Sequence, residues 1–280
     1  MYPVFFELPQ WFPFLGGQPI TSFGVFMLLA FLTAGYVLRA ELRRVGEDPE
    51  KAWDFVFMAV IGGILGAKGY YLLLNFPRLI QDPATMIFSR GGLVWYGGFL
   101  AATALVIWEI RRQKLSVPTM ADLMAPALAL AYAVGRVGCF MVGDDWGRPT
   151  DSFLGVRFPR GTPSTSVQNI EQMFGITVDP ALIEKYGQVV PVHPTQLYEV
   201  GISTLVFFAL WRIRDHGHAK GWLFMIWLIC AGFERFLVEF LRAKDDRFFG
   251  VLTVAQIISL GIVAFGFWGV AKTRGAPEPA

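Results

Sequence analysis

Charge is scarce in this chain. Asp, Glu, Lys and Arg make up 16% of 280 residues, where soluble domains carry about 25%. With 54% hydrophobic residues, a soluble enzyme is excluded, because one core cannot hide that much apolar surface. Polar punctuation of other kinds is missing too. There are two cysteines, Cys139 and Cys230, both in apolar runs, which excludes a disulfide scaffold. No His/Cys/carboxylate spacing suggests a metal, and no glycine-rich phosphate loop occurs. The net charge is +2 and no basic stripe lies on a soluble face, so nucleic acid is no partner. No internal repeat supports an inverted-repeat transporter. The opening MYPVFFELPQWFPFLGGQP lacks the basic start of a signal peptide. Its aromatics and four prolines before residue 20 suggest a segment lying at the membrane surface.

What is abundant is apolar and aromatic: 26 Phe and 9 Trp. Seven runs are long enough to span a bilayer, near residues 20–39, 53–75, 92–110, 119–142, 195–211, 221–242 and 251–271. Basic residues orient them. With the N-terminus outside, twelve fall in inside segments, and five (Arg78, Arg90, Arg242, Lys244 and Arg247) in short outside loops. Every inside loop is short. The loop 143–194 is long, polar and outside, with enough apolar residues to fold as a cap. The expected fold is an all-α polytopic membrane protein. It has one membrane domain over 1–280, with seven transmembrane helices, N-out and C-in. Residues 143–194 form a small extracytoplasmic head between spans 4 and 5.

An ionisable side chain at mid-bilayer costs about 2.5–3.5 kcal/mol on insertion scales, so each one asks for a reason. Lys68, Arg136 and Arg235 lie within spans, the last accompanied by Glu234 and Glu239. Arg136 stands in AYAVGRVGCFMVGDDWGRP, with Cys139 three residues on and so on the same helical face. Asp144, Asp145, Trp146 and Arg148 follow at the water boundary. The bland reading is a helix end with interfacial charges. Arg235, Glu239 and Arg242 follow i, i+4, i+7 and share a face. An internal ion pair joining helices would explain them. The sharper reading is that Arg136 and Arg235 converge on one anion, since guanidinium forks match phosphate oxygens. In GGLVWYGGFL, residues 91–100, Trp95 and Tyr96 are either an aromatic belt or, between glycine pairs that include Gly98, close neighbours of a ligand. In VHPTQLYE, residues 192–199, Gln196 and Glu199 lie three apart and can bridge to other spans. A lone His193 is more often structural than catalytic.

These runs resemble a known family. GRVGCFMVGDDWGRP (135–149) resembles the signature of the prolipoprotein diacylglyceryl transferases, as do GGLVWYGGFL, VHPTQLYE, ERFLVEFLR and LTVAQIISL with Gln256. The resemblance covers essentially the whole chain, in order. It implies an enzyme of the bacterial cytoplasmic (inner) membrane. That enzyme moves diacylglycerol from phosphatidylglycerol to the lipobox cysteine thiol of a prolipoprotein signal peptide, and glycerol phosphate leaves. It implies no metal and no soluble cofactor. By motif position, Arg136 and Arg235 take the phosphate roles, Glu239 orients Arg235, and Gly147 is the signature glycine. Gly98, Cys139, Asp144, Arg148, His193, Gln196 and Arg242 complete the substrate-binding set.

Four positions differ from the family pattern. Tyr96 stands where the family usually has a His proposed as base, Cys139 where it has Asn, Asp144 where it has Glu, and Phe23 where it has Tyr. A phenol near pKa 10 is a poor base at neutral pH. Tyr96 is therefore expected to point its hydroxyl at the site and orient the headgroup. Cys139 is expected to substitute for an amide and not to be a nucleophile. Two alternatives accompany the transferase reading. One is a paralogue with a changed acceptor or leaving group; the other is a non-catalytic lipid- or lipoprotein-binding membrane protein.

Overall fold

The computed structural model describes residues 3–11, 16–89, 91–243, 247–248 and 252–275. Arg90 and Lys244, counted in the basic-residue split, lie outside these, as do residues 12–15 of the N-terminal segment and residue 251 of the last expected span. All seven apolar runs form helices: α1 (Ser22–Arg44), α2 (Lys51–Leu74), α5 (Trp95–Arg112), α6 (Val117–Val142), α9 (Thr195–Ile213), α10 (Trp222–Glu239) and α11 (Val254–Thr273). Short helices α3 (Phe76–Gln81), α4 (Pro83–Phe88), α7 (Val167–Phe174) and α8 (Pro180–Tyr186) lie between them. The chain is a helical membrane protein: α1, α2, α6 and α11 are each long and apolar enough to cross a bilayer. The helices α5 and α10 each carry three charged residues (Glu109, Arg111 and Arg112; Glu234, Arg235 and Glu239), which dilutes their hydropathy. The fold is not wholly helical. β1 (Val4–Glu7) pairs antiparallel with β2 (Pro19–Thr21), and β3 (Arg247–Phe248) with β4 (Leu252–Thr253).

Residues 34–124 form one compact unit. Its centre is the pair α2 and α5, held in backbone contact by glycines. A Cβ at Gly66 would lie 2.3 Å from the Gly97 carbonyl oxygen, and one at Gly62 2.6 Å from Ala102 Cα. Close approach of this kind replaces the hydrophobic drive that lipid cannot supply. Lys68, near the end of α2, is satisfied within this unit. Its ammonium donates to the Ser89 carbonyl (2.8 Å), the Ser89 hydroxyl (3.0 Å) and the Gly91 carbonyl (3.0 Å). All three donors are used, so Lys68 is a loop anchor.

Residues 1–33 and 125–280 form the second unit. Here α10 packs along α11, again through glycine: a Cβ at Gly232 would meet Val263 Cγ2 at 2.7 Å. A capping box starts α11, with the Thr253 hydroxyl accepting from the Gln256 amide and Gln256 Oε1 accepting from the Thr253 amide. That accounts for Gln256 in the LTVAQIISL run as a helix start. Residues 143–194 fold around a core of Trp146, Phe158, Ile170, Val178, Val190 and Val192. Isolated bridges Pro149↔Val192, Val156↔Val192 and Ser166↔Val189 tie the segment together. Phe140 of α6 and Ala243 after α10 pack into the same core. The segment is thus built onto the ends of α6 and α10, and this positions the site.

Candidate active site

The end of α6 supplies the first functional side chain. Glycine stops the helix: Gly143, at φ +73°, donates its amide to the Cys139 carbonyl at 2.9 Å. The chain then turns through Asp145, a non-glycine residue at φ +56°, a conformation costing about 1 kcal/mol for L-residues. The buried face of α9 fixes this turn. Thr195 Oγ1 donates to the Asp145 carbonyl at 2.7 Å, and Gln196 Nε2 donates to the Asp144 carbonyl. Thr195, Gln196, Glu199 and Ser203 are all buried on α9. Their spacing of one, three and four residues places them on one helical face.

Side chains from α6, α9 and the end of α10 then form a chain of alternating charge. Arg136 contacts Glu199 through Nη2, while its Nη1 donates to Asp145 Oδ2 at 3.0 Å. Asp145 Oδ1 accepts from Arg242 Nη2 at 2.5 Å. Arg242 Nε lies 3.7 Å from Glu239 Oε2, and Arg235 Nη1 lies 2.6 Å from the same oxygen. Tyr132 donates to Glu199 Oε1 at 2.9 Å, and Ser203 to Glu234 Oε2 at 2.6 Å. Three arginines face three carboxylates in one continuous network. Burying such charges is tolerable only when every one is paired.

Two groups at the turn are shifted. Burial, and then the neighbouring Asp145 charge, push the Asp144 carboxyl up to about 6. Partial burial alone would raise Asp145 as well, but Arg242 and Arg136 outweigh it and hold its carboxyl below the usual range. Cys139, Asp144 and Asp145 together offer three potential ligand atoms. The positive charge there is already supplied by a guanidinium: Arg136 Nη1 lies 3.4 Å from Cys139 Sγ and 3.0 Å from Asp145.

The expected residues divide into three groups. Arg136, Cys139, Asp144, Arg235, Glu239 and Arg242 come together. Arg136 and Cys139 share a face as expected, and Gln196 and Glu199 bridge to neighbouring elements. One pairing differs: the guanidinium groups that meet on one carboxylate are Arg136 and Arg242, and Arg235 joins one step away through Glu239. The second group is scaffold. A Cβ on Gly147 would lie 2.5 Å from the Leu241 carbonyl and 2.8 Å from His193 Cβ, so no larger residue fits. The Arg148 amide donates to the Leu241 carbonyl at 2.7 Å. His193 accepts the Gly147 amide on its own carbonyl and pairs its ring with the Tyr198 hydroxyl at 3.1 Å. Its burial lowers the imidazole pKa, which favours a neutral structural histidine.

Tyr96 and Gly98 form the third group, within the other compact unit. Tyr96 is 57% exposed and meets Trp95 edge-on at 5.3 Å. Gly98 was expected to leave room for a ligand. Instead α2 takes the space, since a Cβ there would lie 2.8 Å from the Gly63 carbonyl. Residues that sequence reasoning left outside the site are Asp145, Glu199 and Tyr132. A usable signal existed for two of them. Tyr132 precedes Arg136 by four residues on the same face, and Asp145 is the second carboxylate of an adjacent pair directly after that arginine.

Fold and site together define a helical membrane protein with a network of three arginines and three carboxylates at the junction of three helices. A sequence profile of the prolipoprotein diacylglyceryl transferase family matches residues 9–272. The chain belongs to that family. Among its relatives are proteins named phosphatidylglycerol–prolipoprotein diacylglyceryl transferase in three bacteria. The one from Stenotrophomonas maltophilia is 32% identical, covering 94% of this chain and 91% of the relative. The Clostridium tetani protein is 29% identical, covering 96% of each. That of Solidesulfovibrio magneticus is 30% identical, covering 98% of each.

Proposed function

We propose that the protein transfers the diacylglyceryl group of phosphatidylglycerol to the lipobox cysteine of prolipoproteins. The cysteine sulfur, as thiolate, attacks the glyceryl carbon; the bond between that carbon and the phosphate ester oxygen breaks, and its electron pair leaves on that oxygen as glycerol phosphate. The observation that carries this reading is the convergence of Arg136 and Arg242 on one carboxylate, in a chain of the transferase family. Two forks from different elements suit phosphate oxygens. They also favour the charge that grows on phosphate as the diester becomes a monoester. Arg235 and Glu239 orient Arg242 from below in the network, and Cys139 accepts from Arg136 without attacking substrate. By its place in the family motif, Tyr96 carries the role of orienting the headgroup.

The seven long helices favour seven spans, and the twelve-against-five split of basic residues favours an outside N-terminus and an inside C-terminus. Residues 143–194 then form an extracytoplasmic head, and the protein is a multi-pass protein of the bacterial inner membrane. In that arrangement the arginine site opens toward the side where prolipoprotein signal peptides present their cysteine.

The test is lipidation in vitro with purified full-length protein, phosphatidylglycerol and a lipobox peptide. Mass spectrometry should find one diacylglyceryl thioether on the cysteine. Absence of that adduct would contradict the reading. In the same assay Tyr96→Phe should lose activity and Tyr96→His retain it; a silent Tyr96→Phe with a dead Cys139→Ser would point to a covalent route through Cys139.

A further inference from the structure

One carboxylate of the network differs from the other two in where it can go. Glu199 and Glu239 are 1% exposed, whereas the side chain of Asp145 is 41% exposed. Its two oxygens accept from two guanidinium groups, Oδ2 from Arg136 at 3.0 Å and Oδ1 from Arg242 at 2.5 Å. Two non-ester oxygens of a phosphodiester would bridge the same forks in the same way, carrying the same single charge.

The backbone at Asp145 cannot follow its side chain. Thr195 holds its carbonyl, Gln196 holds that of Asp144, and the Gly147 amide donates to the His193 carbonyl at 2.8 Å. Rotation about the Asp145 side-chain bonds moves the carboxylate toward water and leaves the turn in place. Such rotations are fast at exposed positions.

We infer that Asp145 is a built-in stand-in for the substrate's phosphate: its carboxylate bridges Arg136 and Arg242 and yields that position to the phosphate of the lipid headgroup. This rests on the transferase reading above. The exchange is neutral, because one negative charge replaces another between the same arginines. The bridge keeps the two forks from pairing elsewhere, and the carboxylate's return competes with the departing glycerol phosphate. Asp145 thereby sets the affinity of the site for phosphate, since a site that pairs with itself binds its ligand more weakly by the fraction of time it is self-paired.

The experiment measures binding of inorganic phosphate and of phosphatidylglycerol vesicles to the full chain, with KM and kcat for transfer beside it. Two variants suffice: Asp145→Asn and Asp145→Gly. Glycine suits the positive φ at this position, so that variant keeps the fold even where asparagine disturbs it. The expected result is tighter binding of both probes, on the order of tenfold, in Asp145→Asn and Asp145→Gly. KM should fall with it, and kcat should drop as product leaves slowly. Unchanged or weaker binding of both probes would overturn the inference. Tightening confined to inorganic phosphate would overturn its assignment to the lipid headgroup. If both probes bind more tightly while the parent transfers no lipid, the stand-in role holds and the transferase reading fails.

Discussion

The α2–α5 pair and the junction of α6, α9 and α10 solve the same problem by opposite means. Each must hold helices together where lipid offers no hydrophobic drive. The first does it with absence: glycines let backbones touch, as at Gly66 against Gly97. The second does it with charge, running from Glu199 through Arg136, Asp145, Arg242 and Glu239 to Arg235. Glycine packing has one arrangement and no affinity for a ligand. A charge network has partners that can be exchanged. Lys68 and Arg136 make the contrast plain. Loop carbonyls and a hydroxyl satisfy the lysine, while carboxylates, one of them exposed, hold the arginine.

The comparison breaks most visibly at Arg136. Arg136→Ala should abolish transfer, and Arg136→Lys should restore little, because an ammonium lacks the bidentate fork. Removing one partner of a buried pair also costs about 3–5 kcal/mol in stability, by stranding the other charge. The double variant Arg136→Ala/Glu199→Gln should therefore recover melting temperature without recovering activity. Near-normal turnover in Arg136→Ala would sink the arginine site.

A smaller effect is expected on the glycine side. Gly66→Leu forces a Cβ to within 2.3 Å of the Gly97 carbonyl. Overpacking of this kind costs about 1–3 kcal/mol, so the melting temperature should fall by roughly 2–12 °C. KM for phosphatidylglycerol should hold in the protein that remains folded. A selective change in KM would show that the two regions are not separate in role.

A further effect concerns pH. Asp144 sits at about 6 in the folded protein against an ordinary 3.8. The folded state then binds more protons than the unfolded one between those values. Stability should decline as pH rises through that window, and Asp144→Asn should remove the slope. Melting curves from pH 4 to 7 check it; an identical slope in the variant would contradict the assignment.

The fold was largely legible. Runs of about twenty apolar residues have few alternatives to helix, and all seven became helices. The head was legible as a folded insertion but not in its architecture, because short helices and isolated bridges leave no period in sequence. The site was legible where charge stood inside apolar runs, at Arg136, Arg235 and Glu239. Tertiary pairing hid the rest. Nothing along the chain says that Arg242, just past the end of α10, reaches across to Asp145. Nor does it say that the glycines beside Tyr96 serve α2. Gly147, taken as the signature glycine, proved to be a point where a Cβ would meet the Leu241 carbonyl, His193 and Thr195.

The central claim is that Arg136 and Arg242 bind the phosphate of a lipid headgroup. Native mass spectrometry of the full chain offered an equal mixture of phosphatidylglycerol and diacylglycerol tests it directly. The account predicts that the parent retains phosphatidylglycerol in preference to diacylglycerol. It also predicts that Arg136→Ala/Arg242→Ala loses the preference while still carrying lipid. A double variant that keeps the parent's preference would contradict it.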